Sequence, residues 1–179
     1  EAPIHVIHHG VNPRFTPAAP RADFLPDRYV LFVGHRYQYK DADVLFRAFA
    51  KVSRDDPDIQ LLCVGGNGLS PKEAELLEGL GIRDKVSQRF LTDELIASAY
   101  AHAEVFVFPS HFEGFGLPAL EAMASGSPTI LARATSLPEV GGDASLYFEP
   151  GAVDELAMQI QRVLTDADLR SRLIRRGLE

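Results

Sequence analysis

Two carboxylates and two cations carry the strongest chemical signal in this sequence. Glu113 stands in the loop segment Pro109-Ser110-His111-Phe112-Glu113-Gly114-Phe115-Gly116-Leu117, and Glu121 follows on a short helix opened by Pro118. A carboxylate on a loop and another on the helix that leaves it can face one site from two elements. Gly114 and Gly116 let the main chain approach a ligand closely. The amides of Phe115, Gly116 and Leu117, ahead of the helix, suit an anion or a sugar hydroxyl. A second polar segment is Gly34-His35-Arg36-Tyr37-Gln38-Tyr39-Lys40. After a tight turn at Gly34, Arg36 offers a rigid fork of donors and Lys40 a mobile point charge, a pair suited to two phosphoryl groups. Each segment also has a plainer reading, as solvated surface cations and as an ordinary turn leading into a surface helix.

The surrounding pattern decides where these loops must lie. Tyr29–Val33 is a short, continuously apolar run, as expected of a strand covered on both faces. Val44, Leu45, Ala48, Phe49 and Val52 then recur at helical spacing, predicting a helix over residues 41–53. The alternation continues with strands at 59–64, 86–90, 105–108, 129–132 and 145–148. Between them come a helix capped by Ser70 with Pro71 and Glu73, one starting at Thr92, and the short one from Pro118 to Met123. A last helix carries Leu156, Ile160, Val163 and Leu164. Short strands alternating with helices imply a Rossmann-like three-layer α/β/α sandwich with a mostly parallel sheet of about six strands. Ligands of such sheets bind beyond the carboxyl ends of the strands, near the reversal of strand order, where both polar loops must converge.

Composition narrows the partners. The 179 residues suit one domain of ordinary size, read as 27–179, with Pro13, Pro17, Pro20 and Pro26 making residues 1–26 an irregular linker. Eighteen Lys and Arg against 25 Asp and Glu give a net charge of −7, which disfavours nucleic acid. Cys63, the only cysteine, sits in an apolar run and reads as a buried small hydrophobe in a reducing, cytoplasmic setting. His5, His8 and His9 are weighed as metal ligands, but neither a His-Glu-x-x-His helix nor a cysteine pair accompanies them, and no intrinsic metal is expected. Gly65-Gly66-Asn67-Gly68 lacks the Lys-Ser or Lys-Thr ending of a P-loop. A start without methionine and an end directly after a helical pattern point to a piece of a longer chain.

Glu113 and Glu121, separated by seven residues around Phe115-Gly116-Leu117-Pro118 and followed by Ala122-Met123-Ala124-Ser125-Gly126, resemble the signature of retaining, nucleotide-sugar-dependent glycosyltransferases of family four, also called glycosyl transferases group one. The likeness runs from His9-Gly10-Val11-Asn12 through Gly177 and implies the C-terminal half of a GT-B fold, with the N-terminal acceptor domain absent. By resemblance, Glu113 approaches the donor sugar, Glu121 binds the ribose hydroxyls, and the amides of Phe115, Gly116 and Leu117 contact the sugar or diphosphate. Arg36 and Lys40, after Gly34, resemble the pair that clamps the diphosphate, although His35 before Arg36 departs from the commoner Gly-Arg-Leu pattern. Arg89, Phe90 and Leu91 fall where relatives make backbone contacts to the base. Glu139, in Ser136-Leu137-Pro138-Glu139-Val140, lies near the donor pocket as a ligand contact or as a brace of the glycine loop.

The implied reaction moves a hexosyl group, such as mannosyl or glucosyl, from a GDP-, UDP- or ADP-sugar to a saccharide or glycolipid acceptor, without metal and with retained anomeric configuration. The leaving diphosphate assists front-face attack, and Glu113 positions and stabilises rather than attacks. The acceptor would meet mainly the absent domain, leaving the isolated piece weakly active, and a lipid-linked acceptor would bring peripheral membrane association. The rival reading is a noncatalytic nucleotide-sugar or phosphate-binding module. A phosphorylase-like relative is disfavoured because no lysine motif for pyridoxal phosphate is visible.

Overall fold

In a strand buried on both faces successive side chains enter opposite apolar layers, so every position must be apolar. Tyr29–Val33 meets that demand, and in the computed structural model, which describes residues 9–179, all five of its residues are buried. It is β1 of a parallel sheet with β2 (Gln60–Val64), β3 (Val86–Arg89), β4 (Val105–Phe108), β5 (Thr129–Ala132) and β6 (Ser145–Phe148), in the order β3-β2-β1-β4-β5-β6. β4 and β5 are likewise buried at every position. The chain builds outward from β1 to β3, returns, and builds outward on the other side from β4. The order therefore reverses between β1 and β4, where Val30 stands beside Val105 and Leu31 beside Phe106. This is the Rossmann-like sandwich expected from the sequence.

The connecting helices are α1 (Ala42–Asp55), α2 (Pro71–Gly79), α3 (Asp93–Ala101), α4 (Leu117–Ala124), α5 (Leu137–Gly141), α6 (Val153–Thr165) and α7 (Ala167–Leu178). α1 packs on α6, while α4 packs on α3, α5 and α7. α2 starts as its sequence dictates: Pro71 is in the first turn, the Glu73 amide donates to the Ser70 hydroxyl, and the Glu73 carboxylate accepts from the Ser70 amide at 2.7 Å. Tyr100 and Phe108 are fully buried core residues.

Several boundaries differ from expectation. β3 ends at Arg89, leaving Phe90 and Leu91 in the following loop. Thr92 precedes α3 but its side chain makes no capping bond. Glu104 accepts from both Arg28 and Arg170 near the start of β4, fixing α7 to the sheet as a helix separate from α6. Residues 9–26, the described part of the leading segment, are irregular but anchored. The Ser98 hydroxyl donates to the Pro20 carbonyl at 2.7 Å and accepts from the Ala22 amide at 3.0 Å, and Phe15 meets Tyr100 edge to face.

Candidate functional site

Residues 39–41 follow β1 and residues 110–113 follow β4, so the strand-order reversal brings these two loops together. The His111 amide donates to the Tyr39 carbonyl at 2.7 Å, and His111 Nε2 lies 2.6 Å from an Asp41 carboxylate oxygen. Between these ties, Lys40 Nζ reaches Glu113 Oε1 at 2.5 Å, with both side chains about 14 % exposed or less. The ammonium also stands 5.1 Å from the centre of the Phe108 ring and 5.2 Å from that of Tyr39. An ammonium has three donors, so a lysine held by one carboxylate keeps capacity for a second anion. Tyr37, Tyr39 and Phe112 expose their rings on these same two loops, and the Tyr37 ring stacks on His35.

Glu121 is half-buried on α4, four residues beyond Leu117 and so roughly 6 Å further along the helix axis. It accepts a hydrogen bond from the buried Tyr100 hydroxyl at 3.2 Å. Burial raises the Glu121 carboxyl above its ordinary range; the Tyr100 bond opposes this and Asp93 adds to it. A half-buried carboxylate with a single side-chain donor among the described residues is well placed to accept hydroxyl donors from a ligand.

Gly116 caps α4 at φ +104°, and a Cβ there would lie 2.8 Å from Leu137 Cδ2. Close packing against the Leu137 side chain at the start of α5, together with the positive φ, favours glycine here. The loop after β5 also holds the Glu113 main chain. The Glu113 amide donates to the Thr135 hydroxyl at 3.0 Å, which donates back to the Glu113 carbonyl at 3.1 Å. Ser136 Oγ lies within bonding distance of the carbonyls of Glu113 and Phe115, at 3.0 and 2.8 Å. Nothing in the sequence marks Thr135 for this part, because a Thr-Ser pair before Leu-Pro looks like ordinary helix-start chemistry; Ser136 belongs to the segment expected near the donor pocket, without a role of its own there.

Arg36 is occupied differently from the expected phosphate fork. Its Nε donates to Glu73 at 2.7 Å, NH1 to the Gly65 carbonyl at 3.3 Å, and NH2 to the carbonyls of Asn67 and Gly68 at 2.5 and 3.2 Å. Only 4 % of the side chain is exposed, and 14 % of Glu73. Burial pushes the Glu73 carboxyl up, but the Ser70 amide and hydroxyl and the Arg36 guanidinium outweigh it and hold the group below its ordinary range. The two loops pack so tightly that a Cβ on Gly66 would sit 3.3 Å from the Gly34 carbonyl oxygen and from His35 Cα. A cavity of about 310 Å³ opens beside this tie, lined among others by His35, Tyr37, Asp43 and Lys72.

At the β3 end, the Arg89 carbonyl accepts from the Gly65 amide at 2.9 Å, while Phe90 is 68 % exposed. Glu139 is exposed in the first turn of α5. His9 meets Phe115 edge to face, and His5 and His8 lie outside the described residues. Among the described residues, no cluster of three or more His, Cys, Asp or Glu is arranged to hold a metal ion, and no helix is long and apolar enough to cross a membrane.

Comparison with known proteins identifies the family and the fold. Residues 19–179 match the family model for glycosyl transferases group 1. An MMP alpha-(1->4)-mannosyltransferase of Mycolicibacterium hassiacum is 35 % identical over 165 residues, covering 90 % of this chain and 39 % of that protein. The O-antigen chain mannosyltransferase B of Escherichia coli is 46 % identical over 89 residues, covering 50 % of this chain and 23 % of its own length. The chain thus spans well under half the length of either relative. Among solved structures, the C-terminal domain of a glycosyl transferase group 1 family protein from Francisella tularensis superposes with a TM-score of 0.80 at 26 % identity, covering 94 % of this chain and 95 % of that one. Sucrose-phosphate synthase from Thermosynechococcus elongatus gives a TM-score of 0.79 at 31 % identity, over 94 % of this chain and 45 % of that one. The family model covers nearly all of the six-stranded sheet domain, from residue 19 to residue 179, and on that match the chain belongs to the glycosyl transferases group 1.

Proposed function

We propose that this chain is the donor-binding half of a retaining glycosyltransferase that moves a hexosyl group from a nucleotide-diphosphate sugar to a saccharide or glycolipid. The observation that carries the reading is the Lys40–Glu113 pair bridging the loops after β1 and β4, with Glu121 on the following helix. Negative charge grows on the diphosphate as the glycosidic bond breaks, and a fixed cation stabilises that state more than the intact donor. Lys40 is that cation, sharing its donors between Glu113 and a phosphate oxygen. The amides of Phe115, Gly116 and Leu117 at the start of α4 supply further positive potential. Glu121 receives the ribose hydroxyls, and the loop Arg89-Phe90-Leu91 borders the base.

Glu113 faces the sugar as an electrostatic and positioning group. A leaving diphosphate is already a stable anion, so the paired acid and nucleophile of a glycosidase are not required, and no metal is needed for the charge. Arg36 has a different part in this proposal from the diphosphate clamp that its resemblance implied. Four of its five donors are engaged by Glu73 and loop carbonyls, so it braces the β1 and β2 loops against each other. The names of the relatives make mannosyl the first hexosyl group to test. Transfer requires the remainder of the full-length protein, which would contribute most acceptor contacts in the cytoplasm, at the inner membrane face where the acceptor is a glycolipid.

The test is calorimetric titration of this chain with GDP, UDP and ADP and with the parent nucleosides. Lys40→Ala is expected to lower diphosphate affinity by at least about tenfold, as for loss of one charge-assisted hydrogen bond, while leaving nucleoside affinity unchanged. Equal losses for both ligands contradict the assignment. Sugar transfer by the full-length protein, with the product's anomeric configuration read by NMR, separates an enzyme from a noncatalytic binding module and tests retention.

A further inference from the structure

Thr135 adopts φ +45°, in the left-handed region that a β-branched residue occupies only under strain. It is also exposed, so burial of its side chain does not account for the conformation. What the strained geometry provides is a hydroxyl that accepts from the Glu113 amide and donates to the Glu113 carbonyl, across 22 residues of sequence. Ser136 Oγ lies within bonding distance of the Glu113 and Phe115 carbonyls and can donate its one proton to either, and Leu137 fills the space against Gly116. Three consecutive residues after β5 therefore hold the run from Glu113 to Gly116, and the carboxylate of the residue gripped on both main-chain groups is the one that meets Lys40.

We propose that Thr135 is a positioning residue, which fixes the Glu113 main chain so that the Glu113 carboxylate engages Lys40. The consequence for ligand affinity rests on the donor-site reading above; the positioning itself does not. Without the latch, the glycine-containing loop at 113–116 gains freedom, and the ion pair must order both a long side chain and its backbone. A hydrogen bond at an exposed site adds little to global stability. The effect of losing it should therefore appear locally.

Two variants isolate the hydroxyl from the backbone strain. Thr135→Gly removes both hydrogen bonds while relieving the positive φ, and Thr135→Ser restores the hydroxyl. In Thr135→Gly, amide hydrogen exchange at Glu113 is expected to accelerate about fivefold, as for loss of one net hydrogen bond. The 15N-coupled ammonium signal of Lys40, visible when the group is held by an acceptor, should broaden or vanish. The melting temperature should stay level or rise, and Thr135→Ser should return both local signals to wild type. Unchanged Glu113 exchange in Thr135→Gly overturns the latch. Faster exchange with an intact Lys40 signal overturns its positioning role. Titration with GDP, UDP and ADP is a separate arm. If the wild-type chain binds none of them, the donor-site reading fails while the exchange and ammonium signals still decide the proposal.

Discussion

The brace role of Arg36 makes a quantitative prediction that its alternative, a diphosphate clamp, does not share. The Nε–Oε1 distance to Glu73 is 2.7 Å, and the two side chains are 4 % and 14 % exposed. Removing one member of a fully buried ion pair costs about 3–5 kcal/mol because the other is left charged and poorly solvated, and this pair is part-buried. The low end applies to Arg36→Ala, since the Ser70 amide and hydroxyl still hold the Glu73 carboxylate. A loss of about 3 kcal/mol, with a urea m-value of about 2 kcal/mol/M for a domain of this size, shifts the unfolding midpoint down by about 1.5 M. Glu73→Gln should cost a similar amount, and the double variant should fall short of the sum by about 2 kcal/mol because the residues share one contact. The pH dependence has a definite sign. The Glu73 carboxyl is held below its ordinary 4.5 in the folded chain. Its contribution is therefore complete above that value and is lost as pH falls through the lower folded one. Urea unfolding of the four proteins at neutral and acidic pH measures these quantities, and calorimetry with a nucleoside diphosphate supplies the contrast. A midpoint nearly unmoved in Arg36→Ala, accompanied by a large loss of diphosphate affinity, would refute the brace and return Arg36 to the phosphate.

Glu121 should show the opposite sign. Burial raises its carboxyl above the ordinary 4.5, so stability falls as pH rises from that value through the folded one. Glu121→Gln should accordingly be more stable than wild type at neutral pH, equal to it in acid, and weaker in nucleotide binding; a less stable variant at neutral pH contradicts this. Gly116→Ala combines φ +104° with a Cβ placed 2.8 Å from Leu137. It should lose about 2 kcal/mol in urea unfolding from backbone strain and crowding together, and a loss below about 0.5 kcal/mol would show that the loop adapts freely. Burial pushes the Cys63 thiol up to about 12. The native chain should therefore resist alkylation at pH 8 until urea unfolds it, and rapid native labelling would contradict the buried placement.

The same features show what a sequence can disclose and where it stops. β4 and β5 are legible to the residue because a strand between two helical layers has no polar positions near its middle, and β6, half-buried at the sheet edge, because its apolar run is as short and as clearly bounded. The start of α2 was legible because Ser70, Pro71 and Glu73 act on one another within a single turn. Local chemistry also named Lys40, Glu113 and Glu121 as candidates, and the reversal of strand order is what joins Lys40 to Glu113 across 73 residues. Partners set only by tertiary packing were not legible. In sequence Glu73 is a capping residue, as it is in the fold, but the same carboxylate also holds Arg36 from 37 residues away. His35 displaces Arg36 by one residue from the commoner spacing after Gly34, and the guanidinium lies within the tightly packed glycine loop after β2. Thr135 is silent in the sequence for a related reason. Its hydroxyl could serve a helix start, a turn or solvent equally well, and only a backbone angle that no composition encodes directs it to Glu113. In this fold the charge-bearing groups can be read along the chain, whereas the choice between binding a ligand and bracing a loop is made by what the neighbouring strand's loop presents to them.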